Sequence, residues 1–406
     1  MKILMIAPLL PYPAVDGGRR DLFYSLKSLA ARGHRIHFAC LNRQPDPESV
    51  KIMEQYCTVD LVQADTKPGP FGAARALFSR VPYDASRFQN EGLLARLLAR
   101  LHEEKFDIVQ IYGIHAAWFA RKIREQVRVP VALRAVCLQF PNLLQAARHY
   151  RNPFLRLYLA VDGAKMRRYE TEIGRAVDVN LMISDEDRSA LRALDGAIRC
   201  EVVPSGIIPE EFLPGITPPP PRTVLWMGSL SWLPNQDSFW WFYREIVPLL
   251  VERISDVSIS VAGSNPPKEI MAVRHPNVSV LGFVPDIQET MRRNAVCVVP
   301  LRVGSGIRIK LLEMFAMGKA VVSTPVGCEG LDVADGRELL VAETPAAFAD
   351  AVVRVLKDPP LRESIGRSAR EFVLRSHTWD GIAAQWEGVL LETIRRCENP
   401  REGSPR

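Results

Sequence analysis

Residues 300–331 read PLRVGSGIRIKLLEMFAMGKAVVSTPVGCEGL, and this stretch decides the fold. It opens with a glycine-rich turn at residues 304–306, continues in a helical pattern over about 307–317, and ends in an apolar run at 320–324 that is typical of a buried strand. A glycine loop before a helix directs several backbone N–H groups to one point, where the helix dipole adds partial positive charge. The stretch therefore predicts a phosphate site on an α/β sheet.

Arg308 falls on the apolar side of this predicted helix, where a solvated charge is not expected. Either the helix begins after Arg308, or the guanidinium is directed at an anion near the helix start. Lys310 and Glu313 fall on the polar side, three residues apart, where their side chains can meet. An ordinary amphipathic helix with one Lys–Glu pair is the alternative to an anion site.

The composition is that of a globular enzyme of 406 residues, for which two domains are the natural expectation, with 47% hydrophobic and 24% charged residues. The apolar runs are too short to span a bilayer, and the start lacks a signal-peptide pattern, so we expect a cytoplasmic protein. The seven cysteines include no C-x-x-C pair, which favours buried reduced thiols over disulfides or zinc ligands.

The net charge of +6 is unevenly distributed along the chain. Residues 1–205 contain 30 Lys and Arg against 22 Asp and Glu, whereas the remainder contains 22 against 24. A basic first half suggests an anionic partner such as a membrane surface, a phosphorylated lipid or nucleic acid. The cations that could meet an anionic inner leaflet are Arg75, Arg80, Lys165, Arg167 and Arg168. Solvated helix faces are the alternative for all five.

Strand and helix patterns alternate through the first half, beginning with a strand at 2–7, a helix at 19–32 and a strand at 35–40. Gly17 and Gly18 precede this helix and allow a close backbone approach to a ligand, although a tight turn explains them equally. The segment lacks G-x-G-x-x-G, which disfavours NAD binding. Further strands are predicted at 107–111, 129–135, 179–183 and 200–204.

A D-x-D pattern follows the strand at 179–183, and in other transferases such a pattern binds a divalent metal. Here Ser184 precedes Asp185 and Asp187, as an N-cap serine precedes acidic residues in a first helical turn. We therefore predict a helix cap and no metal.

The second half repeats the alternation after four consecutive prolines at 218–221. Strands are predicted at 223–228, 257–263, 278–284 and 296–301, and a helix at about 236–252. A glycine follows each strand, which makes their carboxyl edge the candidate pocket. The predicted division is a first domain at 1–205, a linker at 206–222, a second domain at 223–377, a helix at 378–396 that packs back on the first domain, and a tail at 397–406.

Four segments carry a resemblance to a known family: GGRRDLFYSLKSLAARGHRI at 17–36, MGSLSWLPN at 227–235, VLGFVPD at 280–286 and the glycine loop with its helix at 304–330. Together they resemble the retaining glycosyltransferases of family four, in the subgroup associated with bacterial exopolysaccharide assembly. The resemblance implies an α/β protein with the GT-B fold, in which two doubly wound, Rossmann-like domains face a central cleft. The first would be the acceptor side and the second would bind the nucleotide-sugar.

The implied activity is the transfer of a hexosyl-type sugar from a UDP- or GDP-linked donor to a hydroxyl of a glycan or lipid-linked acceptor. Such enzymes act with retention and without a metal or any cofactor besides the donor. The expected setting is polysaccharide or glycoconjugate assembly at the inner membrane surface, with no nucleic acid as partner. The alternatives are a non-catalytic nucleotide-sugar-binding scaffold and a nucleotide-sugar epimerase.

The resemblance also assigns residues. Glu313 matches a glutamate that binds the ribose hydroxyls, and a carboxylate can accept two such hydrogen bonds. The family's first glutamate corresponds to Ser305, so the N–H groups of Gly306 and Ile307 would hold the sugar. The family's Arg and Lys are missing from 227–235, which leaves Arg308 and Lys310 to neutralise the diphosphate. The complete predicted donor set is Gly17, Gly18, Gly228, Ser229, Val284, Gly304, Ser305, Gly306, Ile307, Arg308, Lys310, Leu312 and Glu313.

His115 is predicted, with Arg308 and Lys310, as a catalytic residue. It follows the strand at 107–111, where a histidine of the family contacts the sugar or the acceptor. A hydrogen-bonded loop histidine is the alternative. Val136 and Cys137 stand where many relatives have His-Asn, so the acceptor side departs from the family pattern.

Overall fold

The computed structural model describes residues 1–44, 46–149, 152–304 and 306–399 of the chain. The chain divides into two compact units: unit 1 is Met1–Pro204 with the segment that begins at Asp380, and unit 2 is Ser205–Trp379. The segment predicted as a linker, residues 206–222, belongs by its contacts to unit 2, where Ile207 bridges to Thr378.

In its described part, unit 1 is built on one parallel sheet of seven strands: β1 Lys2–Ala7, β2 Arg35–Asn42, β3 Thr58–Gln63, β4 Ile108–Tyr112, β5 Val131–Ala135, β6 Val179–Met182 and β7 Cys200–Val202. Their order across the sheet is β3-β2-β1-β4-β5-β6-β7. The central strands β4, β5 and β6 are buried along their whole length, as parallel strands covered on both faces must be.

The helices of unit 1 connect these strands: α1 Gly17–Ala31, α2 Pro47–Glu54, α3 Pro70–Leu77, α4 Tyr83–Ser86, α5 Glu91–Glu103, α6 Ala117–Arg124, α7 Gln139–His149, α8 Pro153–Ala176 and α9 Asp185–Leu194. Helix α9 begins as predicted, because the Ser184 side chain accepts a hydrogen bond from Asp187 N at 3.2 Å. The predicted cap is therefore confirmed.

In its described part, unit 2 is built on a six-stranded parallel sheet: β8 Thr223–Met227, β9 Ser258–Ala262, β10 Val278–Gly282, β11 Val296–Val299, β12 Ala320–Ser323 and β13 Leu340–Val341. The order is β10-β9-β8-β11-β12-β13. The helices are α10 Leu233–Trp241, α11 Val247–Arg253, α12 Lys268–Met271, α13 Ile287–Arg292, α14 Ile309–Ala316, α15 Pro345–Lys357 and α16 Pro359–Ser376. Two doubly wound α/β units are thus present, and the predicted fold class is confirmed.

The helix predicted at 236–252 begins earlier, at Leu233, and is not uniform. A π-helical turn, Phe242–Ile246, separates α10 from α11. Pro248 lies just beyond this turn and has no N–H for a regular helical hydrogen bond, which accounts for the irregular winding.

The last described helix, α17 Trp379–Glu398, returns to unit 1. Trp386 is fully buried there, and its indole N–H donates to Gln110 Oε1 of β4 at 3.2 Å. Gln385 Nε2 donates to Val202 O at 2.8 Å, and Glu387 pairs with Arg32. None of the described helices is long and apolar enough to cross a bilayer.

The cysteines are reduced, as the sequence predicts. Four of them are buried in the cores of the two units: Cys40, Cys57, Cys200 and Cys297. Burial raises the pKa of the Cys57 and Cys297 thiols to about 12, so these side chains serve as small apolar core residues.

Candidate functional site

The connections of unit 2 reverse direction between β8 and β11. From β8 the chain winds outward through β9 to β10, and it then returns to add β11 on the other side of β8. Ligands of doubly wound sheets bind beyond the carboxyl ends of the two strands at such a point. The loops that follow β8 and β11 both begin at this point, so the topology selects residues 228–232 and 300–308 as the candidate site.

Gly304 lies in the loop after β11 and has a φ of 127°, a conformation that favours glycine. A Cβ at this position would lie 3.0 Å from Arg308 Nη2 and 3.2 Å from Trp232 Cη2. Glycine therefore lets the loop pack closely against a guanidinium and an indole. Gly306 also has a positive φ, of 81°, whereas Ser305 lies outside the described residues.

The start of this loop is fixed by an arginine. Arg302 Nη2 and Nε lie 2.6 and 3.1 Å from the two carboxylate oxygens of Asp237 in α10. The Arg302 guanidinium also lies over the Trp241 ring, 5.5 Å from its centroid. This two-point pairing connects the loop to α10 and limits its movement.

Helix α14 begins at Ile309, so the predicted start at residue 307 is wrong. Arg308 is the N-cap residue, with extended backbone angles of −88° and 98°, and its carbonyl accepts from Leu311 N at 2.7 Å. Of the two explanations that the sequence offers for Arg308, the structure supports a helix that starts after it. The side chain nevertheless remains buried at the helix start.

Glu313 falls on the polar side of the helix pattern, but in the structure it is buried. Glu313 is 1% exposed, and all of α14 except Lys310 is buried. The helix packs against both β12 and α16, and α16 lies about 50 residues further along the chain. The periodicity of α14 alone does not reveal that α16 also buries this helix.

Arg308 extends from the helix start toward the turn after β12. Its Nη2 lies 3.4 Å from Val326 O and 3.9 Å from Glu329 Oε2. The guanidinium thus lies beside Gly304, at the amino end of α14 and at the reversal point of the sheet. A cation in this position suits an anionic ligand above the loop.

Lys310 extends in another direction, toward the end of β8. Its Nζ donates to Met227 O at 2.9 Å, lies 3.4 Å from Asn235 Oδ1, and is 5.5 Å from the Trp226 ring centroid. Burial, and after it the charge of Arg308, lower the pKa of Lys310 to about 7, while Glu313 opposes the shift. Its amine therefore connects α14 to β8, and its predicted role at a diphosphate stays a prediction.

Asn235 and Trp232 were not among the predicted site residues, although both occur in the quoted segment 227–235. Asn235 Nδ2 donates to Ser229 O at 2.8 Å, and a Cβ on Gly228 would lie 2.9 Å from this nitrogen. Asn235 thereby fixes the loop that carries the predicted residues Gly228 and Ser229. An asparagine in the first turn of α10, just after this loop, is the sequence feature that could have indicated this contact.

The neighbouring strands end in closely packed glycines, as the sequence predicts. Gly263 N donates to Gly282 O at 2.8 Å, and a Cβ on Gly263 would collide with Gly228 O at 2.1 Å. Val284 follows this edge two residues after Gly282 and is half-buried. Ile307, which precedes Arg308, and Leu312, which lies in α14, are both buried.

The remaining predicted residues belong to unit 1, whose strand order reverses between β1 and β4. Gly17 and Gly18 are exposed at the start of α1, which Asp16 caps by accepting from Arg19 N at 2.9 Å. His115 lies in a 3-10 turn after β4, half-buried, with its ring centroid 5.5 Å from that of Phe88. Burial lowers the pKa of His115, which favours the neutral imidazole.

A buried ion pair lies beneath this edge of unit 1. Arg134 Nη2 and Asp21 Oδ1 are 3.0 Å apart, and neither side chain is exposed. Tyr112 donates its hydroxyl to Asp21, and the Arg134 guanidinium lies 4.6 Å from the ring centroid of Trp386. The pair joins α1, β4, β5 and α17, and sequence reasoning missed it because its members are distant along the chain.

A second buried carboxylate follows β5, near Val136 and Cys137. Glu170 of α8 accepts hydrogen bonds from Gln139 N at 2.7 Å and Phe140 N at 3.1 Å, which are the first two residues of α7. Burial raises the pKa of Glu170 to about 8, although the two amides oppose the shift.

The comparisons with known proteins agree with this architecture. Residues 17–206 match a family model described as a glycosyl transferase 4-like domain, and residues 221–358 match one described as glycosyl transferases group 1. The chain is 20% identical over 396 residues to an uncharacterized 44.6 kDa protein in the cps region of Klebsiella pneumoniae, covering 93% of this chain and 96% of that protein.

Solved structures share the fold along the whole chain. Sucrose-phosphate synthase from Thermosynechococcus elongatus has a TM-score of 0.72 at 16% identity, covering 97% of this chain and 100% of that one. HepE of Anabaena in complex with UDP has a TM-score of 0.70 at 14% identity, with the same coverage. Two glycosyltransferase family models match the chain in tandem, and the solved structures share its fold over 97% of its length. The chain therefore belongs to the family-four glycosyltransferases with the GT-B fold.

Proposed function

We propose that this glycosyltransferase moves a hexosyl-type sugar from a UDP- or GDP-linked donor to a hydroxyl of a glycan or lipid-linked acceptor. Transfer proceeds with retention, without a metal and without a cofactor besides the donor. The setting is bacterial polysaccharide or glycoconjugate assembly, which the cps-region location of the Klebsiella relative supports. The complex of HepE with UDP supports the nucleotide part of the donor.

The observation that carries the proposal is the position of Arg308. Its buried guanidinium packs on Gly304 at the amino end of α14, where β8 and β11 end. A pyrophosphate above this loop would meet the guanidinium, the loop amides and the positive end of the helix together. All three stabilise the charge that develops on the leaving diphosphate as the glycosidic bond breaks.

The other predicted residues have supporting roles. Glu313 accepts hydrogen bonds from the ribose hydroxyls, and Lys310 fixes the loop after β8 and adds charge near the donor. The N–H groups of Gly306 and Ile307 hold the sugar, and the backbone near Val284 meets the base. Gly17 and Gly18 allow unit 1 to approach the donor phosphates, and His115 contacts the sugar or the acceptor in its neutral form.

The proposed reaction uses no nucleophile of the enzyme. The acceptor hydroxyl attacks the anomeric carbon on the face that the diphosphate leaves, and a diphosphate oxygen takes the hydroxyl proton. A bond from the acceptor oxygen to the sugar forms as the bond to the diphosphate breaks, so the configuration is retained. The enzyme contributes by orienting both substrates and by stabilising the leaving group.

The test is donor binding followed by turnover. UDP, GDP and their sugar conjugates are screened for protection against thermal unfolding, and nucleoside diphosphate release is then measured with and without acceptor. Arg308→Ala should weaken nucleotide binding about 10- to 150-fold, the range for loss of a charge-assisted hydrogen bond. Arg293→Ala, which replaces an exposed arginine at the C-cap of α13 in the same unit, is the matched control.

Three outcomes would contradict parts of the proposal. If no nucleotide or nucleotide-sugar stabilises the protein, the donor site does not exist. If nucleotides bind tightly but neither transfer nor donor hydrolysis occurs, the chain is a binding scaffold. If the donor sugar changes configuration without an acceptor, the chain is an epimerase.

We also propose that the protein associates peripherally with the inner face of the membrane. The excess of basic residues in 1–205 supports this part of the proposal, since anionic lipids attract such a surface.

A further inference from the structure

Unit 1 exposes four large apolar side chains on two of its helices. Phe71 is 90% exposed, Phe78 94%, Phe154 83% and Leu157 66%. Isolated exposed apolar residues are common on soluble proteins, but phenylalanines that project almost fully into water are not explained by packing. We call these four residues the phenylalanine patch.

The patch follows helical periodicity on both helices. Phe71 and Phe78 are seven residues apart at α3 and its C-cap, so they lie on one face, with the exposed Arg75 between them. Phe154 and Leu157 are three residues apart in the first turns of α8 and also share a face.

The two helices are held together in unit 1. Lys165 Nζ of α8 donates to Ala76 O of α3 at 2.8 Å, and Asp162 Oδ1 of α8 accepts from Tyr83 N at 3.2 Å, just beyond α3. Their exposed faces therefore belong to one region of the unit.

The two segments that carry the patch contain basic residues but no acidic ones. Residues 66–83 and 136–161, which include both faces, contain no Asp or Glu. They contain six basic residues: Lys67, Arg75, Arg80, Arg148, Arg151 and Arg156. Such a combination of projecting apolar rings and unbalanced positive charge matches the surface of an anionic bilayer, in which rings enter the headgroup boundary and cations contact phosphates.

Aromatic residues and Arg are also enriched at protein interfaces, so a protein partner or a second copy of the chain is the other occupant that the test must distinguish. The absence of Asp and Glu from both segments favours a bilayer, whose phosphates can meet all of their basic side chains. Long arginine side chains can extend from an apolar surface toward lipid phosphates, which a bilayer accommodates.

The five basic residues predicted from the sequence to contact a membrane differ in their surroundings: Arg75, Arg80, Lys165, Arg167 and Arg168. Lys165 is half-buried and holds α3, and Arg168 pairs with Glu172 at 2.6 Å. Arg167 and Arg168 lie three to four helical turns from Phe154 along α8, although they follow Lys165, which contacts α3, by two and three residues. Among those five, Arg75 and Arg80 belong to the segment that carries Phe71 and Phe78.

We propose that the phenylalanine patch inserts into the headgroup boundary of an anionic phospholipid bilayer, with Arg75 and Arg80 contacting lipid phosphates. The proposal rests on the membrane part of the proposed function and is independent of the donor chemistry. It places unit 1, the predicted acceptor side, at the surface that would carry a lipid-linked acceptor.

The test is sedimentation of the full chain with vesicles of phosphatidylcholine alone and with about 30% phosphatidylglycerol, at low and high salt. Wild-type protein should bind the anionic vesicles at low salt and lose most of this binding at high salt. Phe71→Ser/Phe78→Ser and Phe154→Ser/Leu157→Ser should each lower the partition coefficient about tenfold or more, since each removes two inserting side chains. Arg75→Glu/Arg80→Glu should lower it comparably.

Matched controls separate the patch from general effects. Ile216→Ser removes a fully exposed apolar side chain from unit 2, and Arg167→Glu/Arg168→Glu makes the same charge change elsewhere on unit 1. Both controls should change the partition coefficient less than about twofold. Thermal unfolding and protection by UDP, measured in solution without lipid, should be the same for the wild type and all patch variants.

Two results would overturn the proposal: wild-type binding that does not depend on phosphatidylglycerol, or controls that lose as much binding as the patch variants. An oligomer in lipid-free solution that the patch variants dissociate would also overturn it, because the patch would then be a contact between copies of the chain. A protein that binds vesicles as expected but ignores every nucleotide would refute the donor proposal and leave this one standing.

Discussion

Replacing Gly304 with alanine should weaken donor binding as well as the fold. The φ of 127° at this position is unfavourable for any other residue, and holding alanine there costs about 1–3 kcal/mol. The added Cβ would also lie 3.0 Å from Arg308 Nη2 and 3.2 Å from Trp232 Cη2. Both contacts are shorter than ordinary van der Waals separation, so the guanidinium or the indole must move.

The two effects are similar in size but are measured by different readouts. Backbone strain lowers the melting temperature by about 2–4 °C per kcal/mol in a unit of this size. Displacement of the guanidinium removes a charge-assisted hydrogen bond to the diphosphate, which is worth about 1.5–3 kcal/mol, or about 10- to 150-fold in Kd.

Gly336→Ala is the matched control, because Gly336 has a φ of 79° but nothing within 4 Å of an added Cβ. Calorimetric titration with UDP or GDP gives Kd, and thermal unfolding gives stability, for both variants. We expect similar losses of stability and a selective loss of affinity for Gly304→Ala. An unchanged Kd in a destabilised Gly304→Ala protein would refute the assignment of this loop to the diphosphate.

Three further predictions concern charged groups. Folding lowers the pKa of Lys310 from 10.5 to about 7, so the unfolded chain binds more protons than the folded chain between pH 7 and pH 10. The free energy of unfolding of wild type, measured by urea titration, should therefore rise relative to that of Lys310→Met as pH rises from 7 to 10. Folding raises the pKa of Glu170 from 4.5 to about 8, so the folded chain binds more protons than the unfolded chain between pH 5 and pH 8. The free energy of unfolding of wild type should therefore fall relative to that of Glu170→Gln as pH rises from 5 to 8. Arg134→Met should cost about 3–5 kcal/mol in the same assay, because it leaves Asp21 buried without its cation. Asp21→Leu/Arg134→Met should recover much of that loss.

Each of these has a contrary result. Parallel pH profiles of wild type and variant would show that Lys310 or Glu170 titrates at its ordinary pKa. A double variant no more stable than Arg134→Met would show that the loss comes from packing against Trp386 rather than from the uncompensated charge.

Sequence periodicity predicted most of both sheets, because buried parallel strands such as Val296–Val299 read as short apolar runs, but it missed the edge strands β3 and β13. It also predicted the edge where the candidate site lies. It could not place Glu313, since the helix that covers α14 comes from residues 359–376 and leaves no trace in the local pattern.

Contacts between distant residues limit what the sequence reveals about the site. The partners of Lys310 are Met227 and Asn235, which lie 83 and 75 residues earlier, and only the folded sheet brings them together. The start of α14 was misjudged by two residues because the extended backbone of Arg308 depends on the loop packing around Gly304.

The return of α17 to unit 1 has a consequence for how the chain is made. Trp386 and Gln110 are hydrogen-bonded although 276 residues separate them, and the whole of unit 2 is synthesised in between. Unit 1 therefore cannot complete its native contacts until α17 has been made, after the whole of unit 2. A chain cut near residue 379 would lack the Trp386 side chain that bonds to Gln110 and packs on Arg134, and its first unit would stay incomplete.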